Sequence, residues 1–99
     1  MAGKLPGVTD LDGIWDVRRV SGLLPPLLGV RKRIAGDAGE TRVGPLFGVA
    51  FAVVGAELRY RAPFSGFVDV LAPDGPGRFR GRATFRGREF ARFELIRNK

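Results

Sequence analysis

The sequence predicts an all-β protein in which eight short antiparallel strands close into an up-and-down barrel. The 99 residues suffice for one modest core, so residues 1–99 should form a single domain. Fifteen glycines and seven prolines interrupt the chain every few residues, which favours short strands joined by turns. Between these interruptions, no segment keeps a helical period with capping residues.

Eight segments carry the strand pattern, and the connections between them predict the topology. Every connection after the one that follows the first strand is short, so consecutive strands should pair antiparallel. Without helices to cover a face, such strands must stack as a two-sheet β-sandwich or close into a barrel. Closure removes the exposed strand edges, and we therefore favour the barrel. The predicted strands are residues 13–20, 29–35, 39–44, 48–54, 56–61, 66–71, 78–86 and 88–97.

The alternation of side chains in the last hairpin predicts its register. Its apolar residues share one face if a three-residue loop, 86–88, joins the two strands. That register pairs Ala83 with Ala91 on the inside. It also places Arg80 opposite Glu94 on the outside, which is a favourable cross-strand pair.

Two further hairpins each bring one ionisable residue into the apolar face. Across a four-residue turn, 36–39, Lys32 should pair with Val43. In the hairpin of the fifth and sixth strands, Leu58 should pair with Asp69. A buried ion is costly unless it is paired, so we expect these two groups to meet a partner inside the barrel.

The composition limits the chemistry of the protein. Histidine and cysteine are absent, which excludes most metal sites, cysteine nucleophiles, Ser-His-Asp triads and disulfides. We therefore expect no metal and no cofactor. The formal net charge is +7, which favours contact with anions.

One basic stretch, 78–88, contains five arginines and no acidic residue. Phe79 and Phe85 lie among these arginines, but the strand alternation turns both rings inward, away from the arginine row. The stretch is therefore expected to be a solvated basic face, and nucleic-acid binding is not favoured.

The N-terminal residues lack an apolar segment of the kind found in signal peptides. We expect residues 1–11 to form an N-terminal arm and the protein to be cytoplasmic. The longest uncharged run, 43–56, is too short and too often interrupted by glycine and proline to be a transmembrane helix.

The first strand opens with Gly13-Ile14-Trp15. A Gly-x-Trp at this place in a small all-β chain resembles the pattern of the lipocalins and the wider calycin group. The resemblance implies an eight-stranded barrel with Trp15 at its closed end. It also implies that a basic residue near the end of the last strand, here Arg97, packs across the indole.

The connection between the first two strands, 21–29, lies where lipocalins place a large loop over the barrel mouth. It contains six consecutive apolar residues, and the two prolines favour an extended segment over a helix. We expect this segment to be a lid, or alternatively an exposed arm. The lid residues are Leu23, Leu24, Pro25, Pro26, Leu27 and Leu28.

Strand parity predicts a polar group inside the barrel. Arg19 and Lys32 could grip an acidic head group, while Tyr60 and Asp69 could orient a hydroxyl; alternatively, one of the cations simply neutralises Asp69. Glu89 should lie at one rim. The candidate ligand-binding residues are Trp15, Arg19, Lys32, Phe51, Tyr60, Phe67, Asp69 and Phe93.

The sequence therefore favours a protein that binds a small, mostly apolar ligand with an acidic or hydroxyl group. One alternative is a cyclase or isomerase that acts by shaping its substrate, with no catalytic residue assigned. Another is a basic module for polyanions or anionic membranes. The apolar outer face of the fourth strand, with Ala50, Ala52 and Val54, could be a homodimer contact or could lie beneath the arm.

Overall fold

The computed structural model describes residues 11–23, 29–45 and 47–98. They form a closed barrel of eight antiparallel strands in chain order, so the predicted barrel is confirmed over the two-sheet sandwich. No helix in this part of the chain is long and apolar enough to cross a membrane. The strands are β1 (Gly13–Gly22), β2 (Val30–Ala35), β3 (Ala38–Val43), β4 (Phe47–Val54), β5 (Glu57–Tyr60), β6 (Phe67–Pro73), β7 (Arg78–Phe85) and β8 (Arg88–Arg97).

The up-and-down order gives the barrel two distinct ends. The β1–β2, β3–β4, β5–β6 and β7–β8 connections lie at one end, which we call the mouth. The start of β1, the other three connections and the end of β8 lie at the opposite end, which we call the Trp15 end.

The register of the last hairpin is confirmed, but its predicted loop is wrong. Ala83 pairs with Ala91 as expected. The turn, however, has only two residues, and a bulge follows between Ala83 and Thr84. Thr84 pairs with Glu89, so Phe90 is the extra residue. The bulge restores the apolar register that the two-residue turn alone would have broken.

The β2–β3 hairpin corrects a second predicted register. Lys32 pairs with Thr41, not with Val43, because the turn has two residues, 36–37, where four were predicted. A shift by two residues keeps the alternation of faces, so Lys32 still points inward. The predicted pairing of Leu58 with Asp69 is confirmed.

Trp15 fills the barrel at its own end. The indole is fully buried, and its Nε1 donates a hydrogen bond to the carbonyl oxygen of Leu11 at 2.8 Å. Phe79 packs edge-on against it, with ring centroids 5.3 Å apart. The Arg97 guanidinium lies over the indole, 4.3 Å from the ring centroid, and Nη1 donates to the carbonyl oxygen of Asp12 at 2.8 Å. Cation–π attraction and hydrogen bonding together close this end.

The structure explains why position 13, two residues before Trp15, is a glycine. Its φ is +128°, a conformation that other residues rarely adopt. A Cβ at this position would also lie 2.8 Å from Nη1 of Arg97. The glycine therefore leaves the space in which the arginine covers Trp15.

Candidate ligand cavity

The mouth half of the barrel contains a cavity of about 300 Å³. This volume is at the small end of the range of about 300–1,000 Å³ found for small-molecule sites. The polar residues that border the cavity are Lys32, Thr41, Tyr60 and Asp69. Its apolar lining consists of Val17, Val30, Val49, Phe64, Phe67, Ala83, Phe90 and Phe93.

Lys32 is buried, and its ammonium group lies among three oxygen atoms. Its ammonium group lies 2.7 Å from Thr41 Oγ1, 2.6 Å from Tyr60 OH and 3.2 Å from Asp69 Oδ2. Thr41 and Tyr60 accept hydrogen bonds from this group, and Asp69 forms an ion pair with it. Its charge is balanced by the Asp69 carboxylate.

The hydrogen-bond geometry also fixes the remaining protons of the cluster. Tyr60 donates its only O–H to Asp69 Oδ2 at 2.9 Å. In the 2.7 Å contact between Thr41 Oγ1 and Tyr60 OH, Thr41 must therefore be the donor. Tyr60 then accepts two hydrogen bonds and donates one, so its phenol is fully satisfied.

One acceptor of the cluster is left over. No described residue donates to the second carboxylate oxygen of Asp69, Oδ1. Within the described part of the chain, no fully buried side-chain nitrogen or oxygen lacks a partner, so Oδ1 retains exposed surface. Asp69 is also one of the residues that border the cavity.

The same contacts set the proton affinities of the cluster. Burial alone would lower the pKa of Lys32, but the Asp69 carboxylate and Tyr60 outweigh it and raise the pKa above its ordinary value of 10.5. Burial raises the pKa of Tyr60 above 10.0, although the Lys32 charge opposes this shift. Lys32 is therefore charged and Tyr60 neutral at physiological pH.

Five of the eight candidate residues border the cavity, namely Lys32, Tyr60, Phe67, Asp69 and Phe93. Two others lie deeper in the barrel: Trp15 and Phe51 are both fully buried, and Phe51 packs edge-on against Tyr60 with centroids 5.4 Å apart. These two rings form the packed layer beneath the cavity.

The structure does not place Arg19 inside the barrel. Its side chain is exposed, and Nη2 donates to the carbonyl oxygen of Gly22 at 2.9 Å. Arg19 lies near the mouth end of β1, just before the bulge that precedes Ser21, where a long side chain can reach solvent. The predicted Arg19–Lys32 grip is therefore not assembled, and Lys32 instead neutralises Asp69.

Three residues that line the cavity were not among the candidate ligand-binding residues. Thr41 has the inward parity of β3, but it lies beside Lys32 only because the β2–β3 turn is shorter than predicted. Phe90 does so because it lies at the β8 bulge, and Phe64 because the β5–β6 loop reaches the mouth. The place of these three residues in the cavity depends on the exact strand register or on a loop conformation. The alternation of apolar and polar residues predicts neither.

The expected burial of Phe85 is wrong. Its side chain is 39% exposed at the mouth end of β7, and its ring packs against Phe67 with centroids 4.6 Å apart. Phe79, at the other end of the same strand, is buried as predicted. Glu89 lies at the mouth as predicted, and its bond from Arg92 lowers the pKa of its carboxyl.

The predicted lid lies largely outside the described residues, because positions 24–28 are not among them. At its start, Leu23 is 84% exposed, and its backbone N–H donates to the carbonyl oxygen of Phe90 at 3.0 Å. The lid itself stays a prediction.

The fold and the cavity define a small antiparallel barrel with a mostly apolar interior and one internal polar cluster. Comparisons with protein-family models, curated proteins and solved structures find no match for the chain. Its function must therefore be inferred from its own geometry.

Proposed function

We propose that this protein binds a small, mostly apolar molecule that carries one hydrogen-bond donor, such as a hydroxyl or N–H group. The observation that carries the proposal is the free Oδ1 of Asp69 beside an apolar cavity. The other polar groups of the Lys32–Thr41–Tyr60–Asp69 cluster contact one another. A ligand donor on Oδ1 would complete the cluster, whereas a wholly apolar ligand would leave this acceptor unpaired.

The charge balance of the cluster argues against an acidic ligand. Lys32 and Asp69 form a buried ion pair that carries no net charge. A carboxylate in the cavity would therefore add an unpaired negative charge close to Asp69, which is unfavourable in a buried site. The sequence suggested a ligand with an acidic or a hydroxyl group, and we retain only the hydroxyl.

The lipocalin-like character of the barrel is part of the same proposal. The Gly13–Trp15–Arg97 arrangement at one end and a small apolar cavity at the other support it. The resemblance implies ligand binding inside the barrel, which agrees with the chemistry inferred from Asp69.

Three ligands that share one ring system test the polar preference: naphthalene, 1-naphthol and 1-naphthoate. Titration calorimetry should show that 1-naphthol binds at least about tenfold tighter than naphthalene, because a hydrogen bond to a charged group contributes about 1.5–3 kcal/mol. The naphthoate should bind most weakly. A parallel set of octane, 1-octanol and octanoate extends the test to flexible chains.

A double variant, Lys32→Met with Asp69→Leu, should remove the preference for the alcohol while it retains an apolar cavity. The matched control is Arg18→Gln with Glu94→Gln, which removes an ion pair from the outer surface and should leave the preference intact. Tightest binding of the acids would contradict the proposal, as would equal affinities for naphthalene and 1-naphthol.

A further inference from the structure

The mouth of the barrel carries a ring of exposed apolar side chains, which we call the collar. Each of the four connections at this end lies next to or contains at least one of them. Phe47 at the start of β4 is 52% exposed. The collar consists of Leu23, Val43, Phe47, Phe64 and Phe85.

Exposed arginines are interspersed with the collar. Arg61, Arg86 and Arg88 lie at or next to the same connections, Arg19 lies near the mouth end of β1, and all four are exposed. None of these four forms an ion pair with a described residue. The acidic residue among them, Glu89, is already paired with Arg92 at 2.7 Å and with Arg82 at 3.6 Å.

The opposite end has a different charge pattern. Four acidic residues lie in or beside the connections and the chain segment at the Trp15 end, namely Asp12, Asp37, Glu57 and Asp74. Three arginines, Arg33, Arg78 and Arg97, also lie at or near this end, so its described charges nearly balance. The mouth, in contrast, has an excess of cations on the same surface as the collar. A general excess of arginine over the whole chain would not by itself produce this polarity.

We propose that the mouth docks on an anionic lipid membrane. The collar would enter the boundary between headgroups and acyl chains, and the four arginines would contact lipid phosphates. Apolar side chains surrounded by cations suit a surface whose apolar interior lies beneath a negatively charged layer. The aromatic rings of Phe47, Phe64 and Phe85 supply large apolar area at the tips of separate connections, which suits insertion to a shallow depth.

Docking in this orientation would turn the cavity toward the bilayer. Phe64 belongs to both the collar and the cavity lining, so the two surfaces are continuous. An apolar ligand could then pass between lipid and barrel without crossing bulk water. This exchange depends on the proposed ligand binding, whereas the docking itself does not.

Co-sedimentation of the full chain with phosphatidylcholine vesicles, with and without phosphatidylglycerol, tests the docking. We expect binding only to the anionic vesicles and its loss as salt rises from about 0.1 M to 1 M, where the screening length falls from about 10 Å to 3 Å. The Arg61→Gln/Arg88→Gln variant should bind at least about tenfold more weakly. Phe47→Ser should weaken binding severalfold.

Matched controls come from the Trp15 end. Val54, at the other end of β4, is 46% exposed, so Val54→Ser is the control for Phe47→Ser. Arg33→Gln/Arg78→Gln removes two exposed charges near that end and controls for net charge. Both controls should bind like the wild type, and circular dichroism verifies that all four variants are folded.

Absence of binding to anionic vesicles would overturn the proposal, as would equal losses in the variants of the two ends. Undiminished binding of Phe47→Ser, together with full competition by heparin, would instead indicate a polyanion surface and would also overturn it. Titration of the same variants with 1-naphthol in buffer separates the two proposals. Phe47, Arg61 and Arg88 do not border the cavity, so ligand affinity should not change.

Discussion

The two ends of the barrel are packed in opposite ways. Toward the Trp15 end, large side chains such as Trp15, Leu58 and Leu95 are completely buried, and Arg97 covers the indole. In the mouth half, the interior leaves a cavity of about 300 Å³ and four polar side chains border it. Close packing supplies stability, whereas a binding site must leave space. The comparison indicates that one end stabilises the barrel so that the other can remain open.

The largest expected loss of stability comes from Trp15→Ala at the packed end. The substitution removes the largest buried side chain of the packed end and should lower the free energy of unfolding by about 5 kcal/mol, the upper part of the range for buried tryptophan. Val49→Ala, which only enlarges an existing cavity, should cost about 1 kcal/mol. Urea denaturation followed by circular dichroism measures both, and equal losses would show that the two halves contribute alike.

The polar cluster provides the next largest effect. Asp69→Asn leaves the buried Lys32 charge without its counter-ion and should lower the free energy of unfolding by about 3 kcal/mol. The Lys32→Met/Asp69→Leu double variant should lie within about 1 kcal/mol of the wild type, because a buried ion pair can often be replaced by apolar residues without loss. A double variant as unstable as Asp69→Asn, in the same denaturation experiment, would refute this account.

The smallest effect is a dependence of stability on alkaline pH. The pKa values of Lys32 and Tyr60 are raised in the folded protein above 10.5 and 10.0, so the folded state holds protons that the unfolded chain releases. Their contribution is complete below about pH 10 and is lost as pH rises through the folded pKa values. Between the unfolded and the folded pKa of each group, the free energy of unfolding should fall by about 1.4 kcal/mol per pH unit.

A Lys32→Met/Tyr60→Phe/Asp69→Leu variant is the control for this titration. Denaturation midpoints between pH 8 and pH 11 should fall less steeply for the variant than for the wild type, because it lacks both groups. Parallel curves would show that other residues cause the alkaline loss.

The alternation of side chains along the strands predicted much of the fold, because its period is two residues. A register error of two residues therefore leaves each side chain on the same face of the sheet. Lys32 was assigned the wrong partner, yet it still points inward, and Ala83 pairs with Ala91 despite a wrong loop. Closure of the barrel followed from the meander of short strands and the need to cover its edges.

The candidate site was less predictable because it depends on geometry beyond parity. Arg19 has the inward parity of β1, but its position near the mouth lets the long side chain leave the interior. The free oxygen of Asp69 follows from counting which groups contact each oxygen of its carboxylate. Such a count requires distances, which no pattern of residue types contains.

The glycine at position 81 has a consequence for the size of molecule that the barrel can hold. A Cβ there would lie 2.2 Å from the ring of Phe93, which borders the cavity across the β7–β8 ladder. A single added methyl group would thus force this ring to move. Gly81→Ala, in a conformation that alanine can adopt, would therefore change the shape of the cavity that Phe93 borders.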